Sequence, residues 1–265
     1  MTVYITESAE LSEKLRPICV LDLEAMPGTN DCLFCGKGET AHIRDPMIGG
    51  HLGELRCVVA ETWLSFRAVN CYQPTTPELS IGCYWDSRDR CIHWFDGYTL
   101  EETVRYFVET QPLLVSFNGI AFDFSIMRGL LRQEAERQQN RLGYASDACL
   151  LLWRLCDAFK VLCTDSYDLL AEIWKVDPSR RWDRDLNSLE ALAKANGFGS
   201  KRASGIRTPA EDWRNGFHAT VLNDCATNVW VTRKLFTLIC SGAPIVRGDG
   251  QTLELACPAE LILHA

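Results

Sequence analysis

Between residues 18 and 23 the chain reads ICVLDL, an almost unbroken apolar run bounded by Pro17 and by the turn sequence MPGTN. A run this short and this rich in aliphatic side chains predicts a buried strand. From 27 to about 56 the pattern dissolves into Gly, Asp and His, with Cys32 and Cys35 inside it, which predicts an insertion or long loop. Strands are predicted over 57–68, 79–85 and 91–95, the last two joined as a hairpin by the polar turn DSRDR. Next, Val104, Phe107 and Val108 recur at helical spacing behind Thr99, so a helix is expected over 100–110 with Thr99 as its N-cap. Gln111 and Pro112 stop that helix, 113–117 reads as another buried strand, and Asn118-Gly119 turns the chain into a helix from about 122 toward 140. Further helices are expected over 146–159, 167–174, 186–195 and 218–239, separated by the basic loops SRRWDR and GSKRASGIR. The stretch APIVRGDGQTLEL reads as a hairpin around 248–250. Strands interleaved with helices define an α/β chain, with connections too varied for a regular barrel and no internal repeat.

Composition narrows the function classes. The chain has 265 residues, 47% of them hydrophobic and 23% charged, which suits one large domain or two small ones and excludes disordered and collagen-like classes. No apolar run reaches the roughly 18 to 20 residues that span a bilayer, and MTVYITESAELSEKLRP has no secretory pattern. Thirteen cysteines in such a chain point to reduced thiols. The expectation is an intracellular, cytoplasmic protein with no membrane partner. Against 27 Lys and Arg stand 35 Asp and Glu, a net charge of −8, so a general nucleic-acid coat protein is excluded. Contact with nucleic acid requires a local basic groove, or metal ions that cancel acidic ligands.

Asp22 and Glu24 are two apart in the first strand, so they leave one face while Leu21 and Leu23 leave the other. Two acids on one face of a buried strand are costly unless a cation offsets them, or unless the strand emerges into water there. A second clue is SFNGIAFDF, where Asn118-Gly119 ends a strand and Asp123 opens a helix. Alone, an acid there suits the helix dipole.

With both segments in view, the chain resembles the DEDD superfamily of 3′-5′ exonucleases, the DnaQ-like branch of the ribonuclease H fold. LDLE is similar to the D-x-E first motif, and Asn118 through Asp123 is similar to the N-x-x-x-F-D second motif. The resemblance covers roughly 18 to 236. It implies a ribonuclease H-like mixed sheet flanked by helices, two Mg²⁺ or Mn²⁺ ions on Asp22, Glu24 and Asp123, and hydrolysis at single-stranded 3′ ends of DNA or RNA. Asn118 and Phe122 of the second motif, with Arg181, Lys201 and Arg202 of the basic loops, are the implied substrate contacts. The usual third motif, Y-C-x-x-D-V-x-x-T, resembles 224–232, but Asn228 stands in the fourth acid's place and Asp224 in the tyrosine's. Neither usual general base is present. Asp224 and Asn228 share a helix face one turn apart, so Asp224 is a relocated ligand, or the chain is a decayed relative, or Asn228 is an inactivating substitution. His218 is too far along the helix to serve as base.

Cys32-x-x-Cys35 has zinc-knuckle spacing, with His42, His51 and Cys57 in reach as partners; a structural Zn²⁺, a redox dithiol and plain loop thiols are the alternatives. The basic stretches read either as backbone contacts or as solvated loops, and Trp182 and Trp213 as stacking platforms or as core. Asp165 and Asp168 are expected to cap or flank the helix near Tyr167. The domain reading is an exonuclease-like unit over 1–240 with the cysteine insertion at about 27–56, followed by a hairpin extension over 241–265. The alternatives are a catalytically silent relative that binds nucleic acid or a protein, and a zinc-stabilised interaction module.

Overall fold

The computed structural model describes residues 16–26, 78–142, 146–181, 183–199 and 209–258. Five strands form one mixed sheet in the order β3-β2-β1-β4-β5. They are β1 Ile18–Met26, β2 Glu78–Asp86, β3 Ile92–Phe95, β4 Leu113–Ser116 and β5 Tyr167–Asp168. β1, β4 and β5 are parallel, β2 runs antiparallel to β1, and β3 pairs antiparallel with β2.

Alternation along β1 divides the core in two. Cys19, Leu21 and Leu23 pack with one apolar cluster, whereas Val20 joins a second cluster on the opposite face. The first lies under α1 (Leu100–Thr110), α2 (Asp123–Leu142) and α3 (Asp147–Thr164). The second lies under α4 (Leu169–Val176), α6 (Leu189–Ala195) and α8 (His218–Cys240), with the hairpin β6 (Ile245–Val246) and β7 (Thr252–Leu253) packed into it through Ile245 and Leu253. Two short α-helices, α5 (Arg184–Asn187) and α7 (Pro209–Arg214), and a 3-10 turn at Pro178–Arg180 complete the described set. The result is a sheet covered by helices on both faces, as expected.

α1 shows how local sequence sets an element. Leu100, Thr103, Val104 and Phe107 fall at helical spacing and are buried, and the helix ends where Gln111 turns left-handed (φ 47°) ahead of Pro112. Thr99 stands at the N-cap position, but its hydroxyl donates to Asp96 Oδ1 and caps nothing, because Asp96 gathers the whole turn. α3 runs past the expected end at 159 to Thr164, since Leu162 and Cys163 continue its buried stripe. The helix expected over 167–174 begins only at Leu169: Tyr167 and Asp168 pair with Val115 and Ser116 as a strand. The helix expected over 186–195 is broken at Ser188, whose side chain accepts the Ala191 N–H and starts α6 afresh. The strand expected over 57–68 and the insertion at 27–56 lie outside the described residues. Among the described residues, no helix is long and apolar enough to cross a membrane.

Candidate functional site

The site lies where the parallel strands β4 and β5 end beside β1. β4 stops at Ser116 while β1 runs on past it, so the β1 residues beyond Leu21 lose their ladder partner on that side. Asp123, the first residue of α2, fills the gap: its Oδ1 accepts the Leu23 N–H at 3.2 Å. β5 ends at Asp168, which occupies the neighbouring gap. Its Oδ1 accepts the N–H groups of Asn118 (2.9 Å), Leu170 (3.0 Å) and Ala171 (3.2 Å), and its Oδ2 accepts that of Ile120 (3.0 Å). Asp168 therefore caps α4, as expected, and also fixes the turn that aims Asp123. Asn118 takes the left-handed conformation in that turn (φ 68°), which asparagine tolerates better than most residues. Gly119 follows because a Cβ there would run into the buried Ser116 side chain and come within 3.2 Å of Asp123 Oδ2.

Asp22 and Glu24 leave the opposite face of β1 from Leu21 and Leu23, toward α8. A bulge in the β1–β2 pairing follows directly after Glu24 and re-aims the strand. α8 brings Cys225 and Asn228 against this face. The Cys225 thiol donates to the Asp22 carbonyl at 3.4 Å and lies 3.4 Å from Cys83 Sγ. The Cys83 contact and then burial push the Cys225 thiol up from its ordinary range. The Asn228 amide Nδ2 donates to Asp22 Oδ2 at 3.1 Å, and Asp224, one turn earlier, is buried at 5% exposure.

The electrostatics follow from the crowding. Asp123 is raised well above the usual carboxylate range, first by burial and then by the charge of Asp22, with Asp168 and Glu24 adding to it and the Leu23 N–H opposing. Asp168 is raised by burial against the pull of its four N–H donors. Carboxylate oxygens of this kind suit a hard divalent cation such as Mg²⁺ or Mn²⁺, and a cluster that repels itself favours one. As they stand, the acids do not yet enclose an ion: among the described residues, no three His, Cys, Asp or Glu side chains form a ready ligand set. The donor chemistry fits; the Asn228 amide occupies part of the space.

The other expected contacts are placed as follows. Phe122 is partly buried against the first core cluster, and its N–H bonds Asn118 O. Arg181 lies over the Trp174 ring at 4.3 Å, after α4. Lys201, Arg202, Cys32, Cys35 and Trp182 lie outside the described residues. Trp213 lies tilted against the His218 ring, centroids 4.3 Å apart, and His218 Nε2 meets Trp213 O at 3.1 Å at the start of α8. Asn228 is ten residues farther along, about 15 Å away. Asp165 pairs with Arg16. Sequence reasoning missed two contributors: Asp168 as the clamp on the 118–120 turn, and the Cys83–Cys225 contact that seats α8. Only the Asp-Leu-Leu helix start hinted at the first, and nothing hinted at the second.

No protein-family model matches the chain, and neither a curated protein nor a solved structure does.

Proposed function

We propose that the chain is a metal-dependent 3′-5′ exonuclease with a ribonuclease H-like fold, hydrolysing phosphodiester bonds at single-stranded nucleic-acid ends. The reading is carried by one observation: Asp123, from a segment a hundred residues away, accepts the N–H of Leu23, the residue between Asp22 and Glu24, just beyond the end of the parallel strand β4. Open α/β sheets bind ligands beyond the carboxyl ends of their strands. A mixed sheet flanked by helices is the architecture the family resemblance implies.

Asp22, Glu24 and Asp123 are the residues to hold two Mg²⁺ or Mn²⁺ ions, with Asp224 supplying the charge that Asn228 lacks. Bound there, such ions lower the pKa of an attacking water and stabilise the leaving 3′-oxygen. The chain's own part is positional. The Leu23 N–H orients Asp123, the Asp168-bound turn fixes the start of α2, and Asn228 orients Asp22. With neither tyrosine nor histidine at the third motif, no side chain there takes the water's proton.

A second reading, a catalytically silent binder of nucleic acid, is favoured by the Asn228–Asp22 hydrogen bond, in which an amide N–H takes a carboxylate lone pair that a cation would use. The deciding experiment is degradation of 5′-labelled single strands, DNA and RNA in parallel, with Mg²⁺ or Mn²⁺. The proposal expects a ladder shortening from the 3′ end that Asp22→Ala abolishes. Activity only in Asn228→Asp, or silence throughout with binding retained, selects the second reading.

A further inference from the structure

The carboxylates do not end the chemistry of their sheet face. Asp22 pairs in register with Cys83, and Cys83 with Trp94, so the three side chains form one row across β1, β2 and β3 on the α8 side. The next row is Val20, Trp85 and Ile92. α8 packs over β1, β2 and β4, and the outer part of this face is left open: Trp94 is 44% exposed and Ile92 39%. Two strand spacings, about 10 Å, separate Trp94 from Asp22.

Two arginines, Arg233 and Arg90, lie by this open part of the face in a chain of net charge −8. The Arg233 guanidinium of α8 lies on the Trp85 ring at 4.0 Å from its centroid. Burial and the nearby charge of Arg90 both act against its protonated form, and no acid among the described residues opposes them. Arg90 sits in the β2–β3 turn with φ 60°. Arg88, by contrast, is already paired with Asp86 at 3.1 Å. An exposed indole, an aliphatic neighbour and two mutually repelling guanidiniums suit an occupant that is both polyanionic and flat-faced. A single strand has both properties; a duplex hides its base faces.

We propose that Trp94, Ile92 and the Trp85–Arg233 pair, with Arg90 beside them, form a base-stacking track that holds a single nucleic-acid strand along the outer part of the sheet beside α8, two strand spacings from the Asp22 carboxylate. This rests on reading Asp22, Glu24 and Asp123 as a phosphodiester site. Trp94 stacks a base, while Arg233 and Arg90 take phosphates. An aromatic platform tolerates any base, so the track discriminates poorly among sequences.

The test is equilibrium binding in EDTA, where hydrolysis plays no part. Fluorescence anisotropy of the full chain is measured with a labelled oligothymidylate of about twelve nucleotides, within the ~4 to 16 nucleotide footprint of a single-strand groove. Trp94→Ala is expected to raise Kd about tenfold or more, the loss of one stacked base, and Trp94→Phe to restore most of the affinity. Arg233→Gln and Arg90→Asn, the latter chosen to keep the left-handed turn, are each expected to lower the slope of log K against log salt by about 0.7. Unchanged oligonucleotide affinity in Trp94→Ala overturns the track, whatever the exonuclease assay gives; a change in sedimentation instead would assign the face to a protein contact and overturn it too. Tight binding that depends on Trp94 without any turnover upholds the track and fails the hydrolytic reading. No binding by the unsubstituted chain overturns both.

Discussion

Asn228→Asp restores the acid that the family pattern has in this place, and its cost can be worked from the geometry. Two carboxylate oxygens at the 3.1 Å that now separates Asn228 Nδ2 from Asp22 Oδ2 would repel by about 5 kcal/mol at an effective dielectric constant of about 20. Taking up a proton instead costs about 1.4 kcal/mol per pH unit above the ordinary aspartate value of about 3.9, or about 4 kcal/mol at pH 7. The proton costs less, so the pair shares one at neutral pH and the destabilisation saturates near 4 kcal/mol. The protonated acid then donates to its partner much as the amide did, so the lost amide bond adds little. The sign is that of a carboxyl pKa raised by folding: the deficit is small below the unfolded value and grows as pH rises. At pH 5 it is about 1.5 kcal/mol. In thermal melts in EDTA the variant should fall about 8 to 16 °C below the parent at pH 7, at ~2 to 4 °C per kcal/mol, and come much closer to it at pH 5. Saturating Mn²⁺ should recover most of the loss, giving the variant the larger metal-induced shift. Equal melting temperatures for parent and variant in EDTA from pH 5 to 8 would refute the placement of Asn228 against Asp22.

Three further outcomes follow from neighbouring contacts. Asp123→Asn removes a buried charge that Asp22 and Glu24 oppose, so in EDTA it should raise Tm at pH 7 to 8. That gain should vanish as pH falls toward the unfolded carboxyl value of about 4, while hydrolysis is lost; a lower Tm at pH 8 would refute the like-charge account. Gly119→Ala should cost about 1 to 3 kcal/mol in urea unfolding, because its Cβ meets the buried Ser116 side chain and crowds Asp123, and unchanged stability would refute the close approach. Arg247 is fully buried between Asp177 (2.7 Å), Gln251 (2.6 Å) and Asp249 (3.3 Å), so Arg247→Ala should lower urea stability by about 3 to 5 kcal/mol and loosen the β6–β7 hairpin, read as faster amide exchange at Leu253.

Long periodic elements were legible in the sequence. α1, α2 and α8 carry enough residues for a 3.6 repeat to show, the β2–β3 hairpin is marked by its polar turn, and β1 and β4 stand out as short apolar runs between turn or stop residues. β5 was not, because two residues hold no period and Tyr167-Asp168 runs straight into the apolar start of α4. Only pairing with Val115 and Ser116 makes it a strand. The break at Ser188 was missed for a similar reason: a serine inside a helical stripe is ambiguous until its hydroxyl is seen to take the Ala191 N–H. At the site, Asp22, Glu24 and Asp123 could be named from local sequence. What Asp168 and Asn228 do was hidden, since their partners lie 50 and 206 residues away.

Those long-range partners also sort the acids by what each has left to give. All of them sit beside a point where a strand has lost a ladder neighbour, and a carboxylate there has two competing uses: satisfying orphaned N–H groups or receiving a ligand. Asp168 spends both oxygens on four N–H groups, so it belongs to the framework despite being as buried as Asp123. Asp123 gives Oδ1 to a single N–H, and among the described residues its Oδ2 accepts no hydrogen bond. Asp22 gives one oxygen to a side-chain amide on α8, a contact that moves with α8 and does not belong to the sheet. Counting donors in this way separates Asp168 from Asp123 where burial and pKa direction alone do not, since both are raised mainly by burial. It also locates the weak point of the site. Asp168 is fully engaged by its N–H donors, so a change in ligand capacity comes most directly from α8, where the Asn228 amide holds one oxygen of Asp22.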